Sequence, residues 1–253
     1  MYEPILTVRA LTKTFRLSGR EDVQAVRDVS FELRPGECVG LIGESGSGKT
    51  TLVNLITGLT PATSGSVLLD GADVTQLRGR ALRSVWKKLQ VVFQTPMESF
   101  DPRRTLGDGI TESLRNAGVS RAKAMERAAE LMELCGLPQE FLRRYPHEVS
   151  GGQCQRAAIA RALMIEPKLL ICDEATSALD VTIQAEIIEL LRRLRQELDM
   201  TILFVCHDIA LVQQFCDRVL VMYRGAIVEQ GEPTAVIREP RDPYTKELID
   251  SIL

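Results

Sequence analysis

The sequence predicts an α/β fold: a parallel-sheet core, an antiparallel β layer beside it and an inserted helical subdomain. Three observations carry this. Four short runs, residues 38–42, 91–93, 169–172 and 202–206, are apolar without alternation, as strands buried on both faces are. Amphipathic helical stretches lie between some of them, and strand–helix alternation is the mark of an α/β core. The two ends of the chain instead carry shorter, partly alternating strands.

Taken in order, residues 5–9 and 26–33 read as strands of the antiparallel layer, followed by the core run 38–42 and a helix over 50–57. Residues 67–69 return to the layer. After the run 91–93, the segment up to Ser150 is mostly helical. Within it Ala124, Ala128, Leu131 and Cys135 share one face of a helix over 121–135, which Gly136 and Pro138 stop. Beyond the run 169–172, Asp180 is placed to cap a helix whose Ile183, Ile187, Leu190, Leu191, Leu194 and Leu198 recur at helical spacing. The run 202–206 follows, and 219–223 with 226–229 reads as a hairpin across Arg224-Gly225, assigned to the antiparallel layer.

The chain has 253 residues, 45% of them hydrophobic and 26% charged, with net charge −3. It is long enough for a sizeable core, and its charge argues against a protein that coats nucleic acid. No apolar run approaches the roughly 20 residues of a membrane span, and residues 1–13 lack a signal-peptide pattern, so a cytoplasmic location is expected. The six cysteines include no CxxC pair and only two histidines accompany them. Buried, small hydrophobic roles are expected for them rather than a metal centre.

Chemistry concentrates at strand ends. Gly43-Glu44-Ser45-Gly46-Ser47-Gly48-Lys49-Thr50 matches G-x-x-x-x-G-K-[ST] between a strand and a helix, the context a phosphate loop requires. Glycines let backbone N–H groups wrap a triphosphate, and the helix N-terminus adds positive potential. Lys49 supplies a point charge to the β- and γ-phosphates, the Thr50 hydroxyl suits Mg²⁺, and Thr51 completes the set. The apolar run 169–172 ends in Asp173-Glu174. Asp173 suits Mg²⁺ and Glu174 suits activation of an attacking water. Gln94 follows the run 91–93 and His207 follows 202–206. Four strands therefore each deliver a polar group at their C-terminal end, the edge where open parallel sheets bind ligands. These features point to a P-loop NTPase sheet for a triphosphate and Mg²⁺, with Gln94 a further metal-site candidate and His207 a γ-phosphate contact.

Val149-Ser150-Gly151-Gly152-Gln153 opens another helical run, and here the sequence resembles the ABC ATPases, whose signature is L-S-G-G-Q. Ser177-Ala178-Leu179-Asp180 resembles the family's D-loop. The resemblance covers the chain from about residue 5. It implies one ABC ATPase domain over 1–253: a nucleotide-binding core over 5–94 and 150–231, the helical subdomain over 95–149 and a tail over 232–253. It also implies two such domains stacked head to tail. Lys49, Thr50, Gln94, Asp173, Glu174 and His207 would then serve one ATP, while Ser150, Gly151, Gly152 and Gln153 close over the partner's. Phe15 is the expected adenine-stacking aromatic, since only 5% of the chain is aromatic and candidates near the start are few.

Two further stretches resemble the ATPases of oligopeptide, dipeptide and nickel importers. Val92-Phe-Gln-Thr-Pro-Met-Glu-Ser-Phe-Asp-Pro102-Arg103 is close to F-Q-D-P-x-x-S-L-N-P-R, departing at Thr95, Phe100 and Asp101. Pro240-Arg-Asp-Pro243-Tyr244-Thr245-Lys-Glu-Leu248 is close to P-x-x-P-Y-T-x-x-L. That resemblance implies an ATP-hydrolysing importer subunit, peripheral at the cytoplasmic face of the cell membrane. Its expected partners are a second, non-identical ABC ATPase, two membrane permeases and an extracytoplasmic solute-binding protein. No nucleic acid is expected. The cargo stays open among nickel, a metal chelate, a dipeptide and an oligopeptide. With no cysteine after Cys216, the iron–sulfur cluster possible in longer members is not expected. A soluble ABC ATPase acting on DNA or ribosomes is the alternative. Neither the coiled coil nor the second ATPase half of such proteins is expected, nor is a fused exporter membrane domain. Glu174 argues against a regulator that binds ATP without hydrolysing it.

Overall fold

In the computed structural model, which describes residues 3–16, 21–176 and 179–251, continuous apolar runs and alternating ones separate into two sheets. The first sheet is antiparallel. It contains β1 (Leu6–Phe15) and β2 (Val23–Leu33), then, across the core strand β3 (Cys38–Ile42) and helix α1 (Lys49–Ile56), β4 (Ser64–Leu69) and β5 (Ala72–Asp73), in the order β2-β1-β4-β5. Helix α2 (Leu82–Lys88) leads into β6 (Leu89–Val92). The helices α3 (Leu106–Ile110), α4 (Glu112–Asn116), α5 (Arg121–Leu134) and α6 (Gly151–Leu163) follow, with short 3₁₀ turns between them. The remaining elements are β7 (Leu169–Asp173), α7 (Val181–Leu198), β8 (Thr201–Cys206), α8 (Ile209–Phe215), β9 (Arg218–Tyr223), β10 (Ala226–Gly231), α9 (Pro233–Arg238) and α10 (Pro243–Asp250). The second sheet runs β10-β9-β3-β8-β7-β6, parallel from β9 to β6.

The parallel strands are buried on both faces, as their unbroken apolar runs require. Alternation divides their side chains between two cores. Cys38, Ile42, Leu170, Cys172, Ile202 and Phe204 pack with residues of α5–α8. Val39, Leu41, Leu169, Ile171, Leu203 and Val205 pack with α1 and the antiparallel sheet. The six cysteines are free and buried, as expected of small hydrophobes. Burial pushes the thiols of Cys135 and Cys206 up to about 12 and that of Cys154 to about 11.

The hairpin over 219–223 and 226–229 forms, but not in the antiparallel layer. Strand β9 pairs in parallel with β3, Gly40 opposite Val219, and only β10 is antiparallel to it. The physical reason is visible in the residues. Val219–Met222 is fully buried like the other parallel strands, whereas β10 is half-exposed at the edge. The expected strand at 91–93 is shifted to Leu89–Val92, because Phe93 lies on the surface at 40% exposure.

Register sets the working edge. Leu41 pairs with Val205 and Val205 with Asp173; Val92 pairs with Cys172. The four strands that precede the phosphate loop, His207, Glu174 and Gln94 therefore end within a residue or two of one level. Asp173 shares its alternation with Leu169 and Ile171, which face α1, so its side chain is delivered toward the helix that Lys49 begins.

Candidate nucleotide site

The turn from β3 to α1 depends on Gly48. Its φ is +111°, and an added Cβ would lie 2.4 Å from the Ala25 carbonyl oxygen on β2. Only glycine lets the loop lie this close to the antiparallel sheet. The Lys49 ammonium is 4% exposed and donates to the carbonyls of Gly43 (2.6 Å) and Glu44 (3.0 Å), with Glu174 Oε1 4.0 Å away. Burial pushes Lys49 below its ordinary range, and the Glu174 carboxylate is the largest charge opposing that shift. Holding a cation against two carbonyls at the base of a loop leaves it ready for an anion.

Asp173 is 6% exposed, and its Oδ1 has no hydrogen-bond partner. Burial, with the adjacent Glu174 charge, pushes its carboxyl up to about 6; Lys49 and the Thr50 hydroxyl act in the opposite direction. Glu174 has φ +49°, unusual without glycine, and its N–H donates to Val205 O at 2.9 Å. Such a backbone costs about 1–3 kcal/mol and persists where the surroundings fix it. It turns Glu174 into a cleft of about 370 Å³ shared with Ser45, Gly46, Gly48, Lys49, Thr50 and Thr51. Ser47 Oγ is buried without a partner in the same loop.

These observations fit a nucleotide with Mg²⁺. Orphaned polar atoms on Ser47 and Asp173 call for partners, and a carboxyl pushed up by burial calls for a cation. Thr50 and Asp173 are the residues that would hold Mg²⁺, which when bound supplies charge neutralisation at the phosphates. Among the described residues no three His, Cys, Asp or Glu side chains form a metal cage.

The structure brings together Gly46, Gly48, Lys49, Thr50, Thr51, Asp173 and Glu174. Gln94 and His207 stand at the same sheet edge, exposed, and neither lines the cleft. Glu44 lies outside it, its N–H given to the hydroxyl of Tyr244. Phe15 is 39% exposed at the end of β1, under Lys13 at 4.9 Å, and does not line the cleft; its pairing partner Val23 does. Ser177 and Ala178 of the D-loop lie outside the described residues, while Asp180 caps α7 by accepting from Ile183 N–H.

Ser150, Gly151, Gly152 and Gln153 also lie away from the cleft. Ser150 caps α6: its Oγ accepts from Gln153 N–H, and Gln153 Oε1 accepts from Ser150 N–H at 2.9 Å. Gly152 has a packing role, since a Cβ there would lie 2.7 Å from Cγ2 of Ile183 on α7. Gly152→Ala gains about 1 kcal/mol in helix propensity, but the overlap costs about 1–3 kcal/mol. Thermal unfolding is expected to show net destabilisation, relieved by adding Ile183→Ala. A more stable single variant would remove the packing role.

Sequence reasoning missed one wall of the cleft. Gln24, Ala25 and Arg27 of β2 and Arg224-Gly225 of the β9–β10 turn line it. Arg27 N–H donates to Gly225 O (2.7 Å), and Gly225 N–H donates to Ser47 O (2.8 Å). The Arg224-Gly225 turn was visible as a turn. Its docking against the loop follows from β9 pairing beside β3, which no local pattern encodes.

Asp173 sets a pH dependence of stability in the nucleotide-free protein. The unfolded side chain titrates near 3.9, the native one about 6. Between those values the native state binds the extra proton, so stability falls as pH rises through the window and levels off above it. The melting-temperature advantage of Asp173→Asn over wild type is expected to grow from about pH 4 to about pH 6 and then stay constant. A pH-independent difference would contradict it.

Comparison with known proteins agrees with this geometry. A family model described as ABC transporter matches residues 26–177, more than half of the chain. A Brucella ovis protein named for peptide import ATP binding is 43% identical over 98% of this chain and 78% of its own length. The oligopeptide transport ATP-binding protein OppF of Haemophilus influenzae is 43% identical over 95% and 73%. Among solved structures, a dimer of the ATP-binding cassette MJ0796 in a post-hydrolysis state with ADP and Pi superposes with a TM-score of 0.82 at 31% identity, covering 90% of this chain and 98% of that one. Clostridium perfringens cbiO1, part of the ABC transporter complex cbiONQ, gives 0.83 at 29% identity, over 98% and 94%. The phosphate loop, the paired acids at the end of β7 and these likenesses agree: the chain belongs to the ABC transporter family.

Proposed function

We propose that this chain is the ATP-hydrolysing subunit of an importer that takes up peptides, working from the cytoplasmic face of the membrane. The observation that carries the ATPase is the convergence of Lys49, Thr50 and Glu174 around one cleft at an edge of the parallel sheet, with Asp173 buried beside them. In the proposed reaction Lys49 and the loop amides bind the phosphates, and Glu174 accepts the proton of the water that attacks the γ-phosphorus. Gln94 and His207, exposed at the same edge, contact the γ-phosphate side once a second subunit closes. The ring of Phe15 stacks on adenine. The names of the relatives support peptide as the cargo over nickel or a metal chelate.

Two such subunits act together, the second a non-identical homologue. The separation of Ser150 from the chain's own cleft supports a site completed in trans, and the dimeric neighbour supports the arrangement. The core over 5–94 and 150–231 binds nucleotide. The helical segment 95–149 transmits closure to two permeases, which a solute-binding protein loads from outside. Among the described residues no helix is long and apolar enough to cross a membrane, so attachment runs through those permeases. A cavity of about 870 Å³ lined by Arg83, Trp86, Lys87 and Asn116 supports a partner seat beside α2.

Two measurements test the proposal. Specific ATPase activity is expected to rise with protein concentration and to fall in Ser150→Arg; brisk turnover by a demonstrated monomer, unaffected at Ser150, would end the shared-site reading. Deleting the gene in the source organism is expected to abolish uptake of a labelled oligopeptide, whereas loss of nickel uptake alone would overturn the peptide assignment.

A further inference from the structure

The tail motif Pro243-Tyr244-Thr245 has no place in the mechanism above, yet the fold brings it to the phosphate loop. Glu44 N–H donates to Tyr244 Oη at 2.9 Å, across 200 residues of sequence. The ring is 6% exposed and stacked on Tyr223 of β9, with centroids 4.0 Å apart and planes at 21°. The backbone before it is pinned too. Glu229 on β10 accepts from the N–H groups of Arg241 and Asp242, and Asp242 caps α10 by accepting from Tyr244 N–H. Thr245, Leu248 and Ile249 continue the same buried face of the helix. The hydroxyl is therefore held at a fixed point beside the loop.

Glu44 is a pivot. Its N–H faces the tail and shares a peptide plane with the Gly43 carbonyl, which accepts from the Lys49 ammonium at 2.6 Å. The peptide plane that the Tyr244 bond fixes is therefore one whose oxygen seats Lys49. From this geometry we infer that Tyr244 is a positioning residue for ATP: the tail sets the orientation of the Gly43–Glu44 peptide and, through its oxygen, the Lys49 charge. The inference rests on the nucleotide site proposed above.

Tyr244→Phe removes the hydroxyl and keeps the stacked ring. The lost bond leaves the Gly43–Glu44 peptide, and with it the seat of Lys49, without its anchor, a change expected to weaken ATP binding about tenfold. Calorimetric titration of the full chain with Mg–ATP should show this. The KM for ATP should rise in parallel, with kcat at saturating ATP within about twofold of wild type, since Glu174 is untouched. The melting temperature without nucleotide should stay close to wild type, and the Glu44 amide should exchange faster by NMR. Wild-type ATP affinity in Tyr244→Phe would overturn the proposal, as would an equal loss of kcat and stability, which marks a merely structural role. A Glu44 amide whose exchange does not change in the variant would overturn it by an observation independent of catalysis. Wild-type protein that bound no Mg–ATP would overturn the underlying site reading, and this inference with it; a failure confined to the variant leaves that reading standing.

Discussion

Glu174→Gln is expected to lower ATP turnover by roughly 10²–10⁴-fold, the usual contribution of a general base, with nucleotide binding retained. The substitution keeps the shape of the side chain and removes only its capacity to take a proton. Its backbone is held at φ +49° by the N–H bond to Val205 O on β8, so the side chain keeps its direction into the cleft. Lys49 stands 4.0 Å from Glu174 Oε1 and is held by two carbonyls. Neutralising the acid leaves those two bonds in place and takes a negative charge away from the phosphate site. Phosphate affinity should therefore survive. Phosphate release and equilibrium ATP binding, measured on the same preparation, separate the two quantities. Hydrolysis near the wild-type rate would remove Glu174 from the chemistry and leave Asp173 as the only acid at the end of β7.

The sheet edge was legible in the sequence because its signals are local. A continuous apolar run ending in a polar residue states both a buried strand and the group it delivers, and this holds at 38–42, 169–172 and 202–206. Helix limits were legible where caps stand, as at Asp180 and Ser150. What escaped is non-local. That β9 joins the parallel sheet depends on pairing with β3, some 180 residues earlier, and the apolar pattern of 219–223 suits either sheet. The wall formed by Arg27 and Arg224 arises only once the β9–β10 turn docks on β2. Tyr244 was singled out as part of a tail motif, but its partner is a backbone N–H, which no residue type announces. Gly152 shows the converse: it was read as part of a ligand-binding signature, and the fold gives the glycine a packing reason against Ile183.

Gly48→Ala is expected to abolish measurable ATP binding, a loss of at least about a hundredfold, while the rest of the domain stays folded. Two costs add. The residue sits at φ +111°, where a side chain is strained by about 1–3 kcal/mol. Its Cβ would lie 2.4 Å from the Ala25 carbonyl and 2.9 Å from Cε of Met222. The methionine end can swing aside, but the carbonyl belongs to β2, whose neighbour Arg27 is bonded to Gly225 O in the β9–β10 turn. The loop must therefore lift away from the antiparallel sheet. Lifting it moves the first residue of α1, Lys49, out of reach of the Gly43 and Glu44 carbonyls and opens the wall that Ala25 and Gly225 form. The damage is confined because the strands flanking the loop are held by their own registers, β3 between β8 and β9. Circular dichroism should report a wild-type helix and strand content, and calorimetry with Mg–ATP no heat of binding. A variant that bound ATP normally would show that the loop clears β2 without glycine, and the close approach would then have no part in forming the site.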